Sequence, residues 1–320
     1  MEKNNQLGLV SICMPSYNAG KYIQETINSI LNQSYQNFEL IIVNDGSTDD
    51  TWEILQSQKD NRIKIFNTGN QGQCAAANLA YSHSKGDYIK FMDADDLISE
   101  NFLELQVNRI SNHPNTIASA EWGRFYGDDL STFKLNPETV WRDMKPIDWL
   151  CESLQTGQNM MQCALWLIPR NVLNRSGLWN EKLSLINDFD FFIRVLLSSK
   201  EIRFAKNAIL YYRSGLNSSL SNQKSRNAYL SAFNSINFGL NTLINFEESE
   251  RTKMIAADIY KEWSFEFYPS QMDLYLSAIE NSKNFGKSNV KFHAGNLTLV
   301  LSRIIGWKLT KRIKYFLNRL

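Results

Sequence analysis

Four short apolar runs divide the first part of the chain, and each ends in a polar turn. Leu9-Val10-Ser11-Ile12-Cys13-Met14 is stopped by Pro15 and opens into Ser16-Tyr17-Asn18-Ala19-Gly20. Phe38 to Val43 ends in Asn44-Asp45-Gly46-Ser47-Thr48-Asp49, and Arg62 to Phe66 is a shorter run. Lys85-Gly86-Asp87 then turns the chain into Tyr88 to Met92, which delivers Asp93-Ala94-Asp95-Asp96. Runs of this length bounded by turn residues predict strands. Between them the period becomes helical. From Tyr22 to Gln33, Ile23, Ile27, Ile30 and Leu31 share one face. A second helix, capped by Thr48 or Asp49, carries Trp52, Ile54 and Leu55, and an alanine-rich third runs from Cys74 to Ser82.

Strand alternating with helix predicts a mostly parallel sheet covered by helices on both faces. Ligands bind such sheets beyond the carboxyl ends of the strands. Pro15 to Asn18, Asp45 to Thr48 and Asp93 to Asp96 all fall on that edge. Side chains alternate along a strand, so Asp93 and Asp95 are expected to project to one side. Two such carboxylates repel unless a cation lies between them, and hard oxygen ligands suit Mg²⁺ or Mn²⁺ carrying a diphosphate. The competing reading is an acidic turn in which Asp95 or Asp96 caps the next helix.

The second half predicts a helix from Glu100 to Ser111, stopped by His113-Pro114, and a strand from Ile117 to Trp122. Gly127 to Met144 is polar with little periodicity and reads as a loop, on the acceptor side or as a surface connection. A helix from Ile147 to Leu154 and strands from Cys163 to Ile168 and Ile209 to Arg213 follow. From Asn222 on the pattern is helical, with Leu230, Phe233, Ile236, Leu240, Leu243 and Ile244 at helical spacing. Ile304 to Leu320 reads as one basic amphipathic helix, with Ile305, Leu309, Ile313, Phe316, Leu317 and Leu320 on a common face.

Composition adds two constraints. With 320 residues, 43% of them hydrophobic, the chain can hold one large core plus an appendage. The formal net charge is +1, but Lys283, Lys287, Lys291, Arg303, Lys308, Lys311, Arg312, Lys314 and Arg319 all follow the last acidic residue, Glu280. Removing those nine from the 34 Lys and Arg leaves 25 against 33 Asp and Glu, a balance of −8 for the body. A basic tail on an acidic body meets either an anionic membrane surface or the body itself. Cys13, Cys74, Cys151 and Cys163 are scattered and read as reduced thiols of a cytoplasmic protein. No apolar core precedes the first strand, so no signal peptide is expected, and no stretch reaches the roughly 18 apolar residues of a membrane span.

From Val10 to Asp96 the sequence resembles the nucleotide-sugar-binding half of a family 2 glycosyltransferase with the GT-A fold. The matching residues are Val10 to Asn18, Phe38 to Asp49, Asn78, Lys85 to Ile89 and Asp93 to Asp96. The likeness extends to about Arg213. It implies a GT-A domain over 1–221, its donor half about 1–98 and its acceptor half about 99–221, followed by a helical region over 222–320.

The resemblance implies roles for individual residues. Pro15 and Tyr17 would flank the nucleotide base, with Asn18 beside them, and Asp45 would accept a hydrogen bond from a base N–H, which suits uracil. Asn78 and Ala94 would line the donor site. Asp93 would contact the ribose or the metal, and Asp95 would hold Mn²⁺ or Mg²⁺ on the diphosphate. Asp188 would be the general base of an inverting transfer, at the first turn of a helix over Phe189, Phe192, Ile193 and Leu196. The alternative for Asp188 is a plain first-turn acid. Arg213 would lie near the diphosphate. Four departures from the family pattern stand out: Ala77 where arginine is common, Ala80 for glycine, Asn187 for glutamate before the base, and no histidine after Arg213.

The implied activity moves a sugar, hexosyl or N-acetylhexosaminyl, from a UDP-sugar to a glycan or lipid-linked glycan. The enzyme would be peripheral on the inner face of the cell membrane. Gln-x-x-Arg-Trp and membrane spans are absent, which favours single additions over processive synthesis. No nucleic acid partner is expected, while the C-terminal helices could pair two copies. A catalytically silent donor-binding scaffold and a nucleotidyltransferase are the competing classes. The second would need a glycine-rich basic loop where Pro15-Ser16-Tyr17-Asn18 stands.

Overall fold

The computed structural model describes residues 8–155, 157, 161–216 and 224–317. Its first layer is built from strands β1 (Val10–Ser16), β2 (Phe38–Asp45), β3 (Ile63–Thr68) and β4 (Tyr88–Phe91). Helices α1 (Ile23–Leu31), α2 (Thr51–Gln56) and α3 (Gln73–Ser82) connect them. Next come β5 (Leu97–Ile98), α4 (Phe102–Ile110), β6 (Thr116–Tyr126), β7 (Asp129–Leu135) and α5 (Pro146–Ser153). A 3₁₀ turn (Cys163–Leu165), β8 (Ile168–Pro169), α6 (Arg170–Ser176), α7 (Asn187–Leu197) and β9 (Glu201–Ser214) complete the α/β body. The C-terminal region is α8 (Arg226–Phe246), α9 (Glu250–Phe267), α10 (Met272–Phe285), α11 (Asn296–Ile305) and α12 (Trp307–Leu317).

The main sheet has the order β3-β2-β1-β4-β8, parallel except for β8. Every position of β2 is buried, as expected of a parallel strand covered on both faces. Pro15 pairs with Val43 of β2 but lies beyond the last β1–β4 pair, Cys13 with Phe91. A residue without an N–H is tolerated there, where the ladder has already opened. A second sheet, β5-β9-β6-β7, packs alongside, with β6 and β9 parallel.

Three expectations are corrected. The polar stretch from Gly127 to Met144 contains β7, an edge strand whose side chains are mostly exposed, so it lacked an apolar signal. The apolar run from Cys163 to Ile168 is a 3₁₀ turn entering a two-residue strand. It is apolar because it is buried, and side chains satisfy its carbonyls. Lys90 Nζ donates to Ala164 (2.5 Å) and Trp166 (3.4 Å), and Gln106 Nε2 donates to Leu165 (2.7 Å). The final amphipathic segment is two helices, because Gly306 at φ 80° breaks it. Arg319 and Leu320 lie outside the described residues.

The main core runs without interruption from the sheet into α8 and α9 through Ile236, Leu240, Leu243, Ile255 and Ile259. A smaller cluster of Tyr229, Phe267, Tyr268 and Tyr275 receives Trp307 at the start of α12. Trp307 docks α12 onto the body, while Ile304, Leu309, Ile313, Phe316 and Leu317 stay exposed. All four cysteines are buried thiols. No described helix is long and apolar enough to cross a membrane.

Candidate active site

β4 ends at Phe91, and the chain passes through Asp93-Ala94-Asp95-Asp96 before pairing again as β5. The carbonyl of buried Ala94 accepts a hydrogen bond from Thr26 Oγ1 of α1 (3.0 Å), which fixes the loop from behind. Asp93 accepts from Gln73 Nε2 (2.9 Å), and Gln73 Oε1 in turn accepts from Asn187 Nδ2 (3.1 Å). One glutamine of α3 therefore ties the acidic loop to the first residue of α7.

The carboxylates carry more negative charge than their surroundings compensate. Burial pushes the Asp95 carboxyl up to about 7, the Asp93 charge adds to the rise, and Arg213 opposes it. Burial also raises Asp93, against hydrogen bonds from Cys163 and Gln73. Asp96 is 1% exposed and is pushed well above the usual range by burial and then by Asp95 and Asp93. Its Oδ1 accepts the Arg213 backbone N–H (2.9 Å), while its buried Oδ2 has no hydrogen-bond partner among the described residues.

Arg213, at the end of β9, is the nearby cation, with its side chain wholly buried. Nε donates to the Asp95 carbonyl (2.8 Å), one terminal nitrogen to the Gly127 carbonyl (2.6 Å) and the other to Glu25 (2.6 Å). The guanidinium lies 4.5 Å from the ring centres of both Tyr22 and Phe125. Three of its five N–H donors are thus engaged, one of them with the acidic loop itself.

Asp188 is the second residue of α7 and is half-buried. Burial lifts its carboxyl to about 7, with the Asp93 charge a smaller contribution in the same direction. The two acids thus sense each other across the site, although they lie on separate elements. The preceding residue, Ile186, adopts a left-handed conformation (φ 49°, ψ 36°) that β-branched residues avoid. Such strain gathers where surrounding structure over-determines a functional loop.

The other loops of the edge are locally interlocked. Asn18 has φ 48°, a conformation asparagine tolerates; its N–H donates to Ser47 Oγ (2.9 Å) and its Oδ1 accepts the Thr48 N–H (2.7 Å). Pro15 is partly exposed, and Tyr17 stands 50% exposed beside it. Asp45 is buried and accepts the backbone N–H groups of Gln71 and Gly72, each at 2.8 Å, so it shapes the β3–α3 loop. Asn78 binds Trp179 at both backbone groups (2.9 and 3.1 Å) and Glu181 (2.8 Å), latching the segment that leads to α7. Ala77 and Ala80 lie in the core.

Sequence reasoning missed Gln73, Thr26 and Glu25, whose types carry no chemical signal alone. Asn187 was the available hint. An amide in place of a carboxylate can donate to Gln73, and through it supports the hydrogen bond to Asp93. A cavity of about 640 Å³ between α5 and α9 lies elsewhere; its Arg142 pairs with Glu152 and its Arg251 with Asp148. Among the described residues no three His, Cys, Asp or Glu surround a common metal position.

Comparison with known proteins places this geometry. Residues 11–174 match the family model described as glycosyl transferase family 2. An uncharacterized glycosyltransferase of Haemophilus influenzae is 50% identical over 109 residues, 33% of this chain and 44% of that protein. Glycosyltransferase GlyG of Streptococcus pneumoniae is 32% identical over 179 residues, 54% of this chain and 58% of that protein. The chain thus spans about half the length of these curated relatives. Residues 1–349 of S. aureus TarS, crystallised with UDP-GlcNAc, superpose with a TM-score of 0.69 at 18% identity, over 87% of this chain and 81% of that one. At that identity the likeness is one of fold, and it identifies the layered body as GT-A.

Proposed function

The chain belongs to glycosyl transferase family 2, and we propose that it transfers a sugar, with inversion, from a UDP-sugar to a hydroxyl of a glycan or lipid-linked glycan. The observation that carries this reading is the set of under-neutralised carboxylates, Asp93, Asp95 and Asp188, at the carboxyl edge of the parallel strands. TarS, which shares the fold, was crystallised with UDP-GlcNAc and with UDP, which supports a uridine donor. Tyr17 offers an exposed aromatic face for a base, and Pro15, Asn18 and Asp45 fix the loops around it.

The acidic loop fits a hard divalent cation. Asp93 and Asp95 repel each other, and the orphaned Asp96 Oδ2 marks a surplus of acceptors. Two carboxylates without a third protein ligand suit Mg²⁺ or Mn²⁺, which complete their coordination with water and phosphate oxygens. Asp95 and Asp93 would hold the ion, and the chemistry it supplies is charge neutralisation on the departing diphosphate.

Asp188 takes the proton of the acceptor hydroxyl. The oxygen then bonds to the anomeric carbon on the side opposite the diphosphate, whose bond to that carbon breaks, and the electron pair leaves with UDP. A carboxyl near 7 is a stronger base than an ordinary aspartate yet ionises at neutral pH. Gln73 and Asn187 hold the base side and the metal side in register.

The exposed apolar face of α11 and α12, edged by Arg303 and Lys314, is taken to lie on an anionic membrane, bringing the site to lipid-linked acceptors at the inner surface. The function is tested by offering UDP-, GDP- and dTDP-sugars with Mn²⁺ or Mg²⁺ and following nucleotide release by the wild type and Asp188→Asn. Release from a UDP-sugar that is lost in the variant is expected. Binding of no nucleotide at all would overturn the reading, and tight binding without release, even with lipid-linked acceptors present, would make the chain a silent scaffold.

A further inference from the structure

We propose that helix α8 is the seat of the general base, with Ser231 and Ser235 as positioning residues for Asp188. This rests on the reading of Asp188 as the base. Helix α7 has no side-chain N-cap of its own, because Ile186 occupies that position in a left-handed conformation. Apolar residues are poor caps, and the first N–H groups of a helix must find partners elsewhere. The Phe189 N–H is taken by Asp188 Oδ1 (3.0 Å), and the partner of the Asp190 N–H comes from the adjacent α8.

Ser235, fully buried, donates its hydroxyl to the Ile186 carbonyl (2.7 Å) and accepts the Asp190 N–H (3.2 Å). Ser231 accepts the Ser184 N–H (2.7 Å) and donates to the Leu185 carbonyl (3.3 Å). Two hydroxyls one helical turn apart thus satisfy four backbone groups on both sides of Asp188. One turn further, Gly239 faces Phe189. A Cβ there would come within 2.7 Å of the Phe189 ring, so the close approach of the two helices requires glycine. The hydroxyls and the glycine share one face of α8 at spacings of four. They clamp the strained turn at Ile186 that places Asp188 across from Asp93.

A purely structural role and a positioning role separate in the test. Ser235→Ala in the full chain is expected to lower kcat for sugar transfer about tenfold or more, with donor KM within about twofold. Exchange of the Asp190 backbone amide should quicken at least about tenfold, with the melting temperature little changed. Unchanged kcat, or kcat, donor affinity and melting temperature all falling together, would overturn the proposal. If the wild type turns over no donor, the functional reading fails by itself, and Asp190 exchange still decides whether α8 is the seat. Should Ser235→Ala not fold, Ser231→Ala carries the same test at the Ser184 amide.

Discussion

Two clusters of buried charge meet at the Asp95–Asp96 loop, and they are satisfied to very different degrees. On one side the Arg213 guanidinium donates three hydrogen bonds, to two carbonyls and to Glu25, and lies over two aromatic faces. On the other, burial raises Asp93, Asp95 and Asp188, and the Asp93 charge adds to the rise at Asp95 and Asp188; Arg213 opposes it at Asp95, and hydrogen bonds oppose it at Asp93 and Asp188. A saturated cluster is finished when the chain folds. An unsaturated one is costly to the fold and gains its partners from what binds. The first is therefore assigned to architecture and the second to chemistry.

The largest expected effects set the two clusters against each other. Asp188→Asn should reduce the transfer rate about a thousandfold, near the middle of the range for a lost general base, while nucleotide affinity measured by calorimetry stays unchanged. Arg213→Ala should act on stability instead. Removing the buried guanidinium leaves the Asp95 and Gly127 carbonyls without their donor and costs about 2–6 kcal/mol, read as a lower denaturation midpoint. If Arg213→Ala folds normally but loses only nucleotide affinity, the division between the clusters is wrong.

Smaller effects sharpen the same contrast. With its carboxyl near 7, Asp188 is protonated in mild acid, so transfer should rise with pH through about 7 and then level. For Asp95 the sign in stability is opposite. Its folded-state value is raised, so its contribution is fully present below the ordinary value of 3.8 and is lost as pH rises through about 7. Without divalent ions, Asp95→Asn should melt higher than wild type at pH 8 and equally at pH 4. Tyr17→Ala should raise donor KM about tenfold without affecting the melting temperature, since the ring is half exposed. Least affected should be Lys21→Ala, because the pair with Asp128 is open to solvent and adds little.

The main sheet was legible because a parallel strand buried on both faces leaves a mostly apolar run, and β1, β2 and β4 all have one, broken only at Ser11, Glu39 and Lys90 before their polar ends. Asp93 and Asp95 could be singled out because a strand end fixes where a carboxylate points, and Asp188 through the family resemblance. Their environment could not. Arg213 reads as a cation for phosphate until the fold brings Glu25, 188 residues away, onto its guanidinium. Lys90 looks like a polar slip in an apolar strand and is the ligand of carbonyls in the turn at Ala164. The β7 edge and the break at Gly306 were hidden for other reasons: an exposed strand has no apolar face to show, and one glycine does not disturb an amphipathic pattern. Ser231 and Ser235 are ordinary helical serines until α7 is packed against them.

The most direct test of the central claim is the melting temperature of the wild type and Asp95→Asn with Mn²⁺, with UDP, and with both together. If the acidic cluster is completed by a cation and a diphosphate, the wild type gains most of its stabilisation only when both are present, and Asp95→Asn loses that joint gain. Equal stabilisation of both proteins by the pair, or none in the wild type, would contradict the claim.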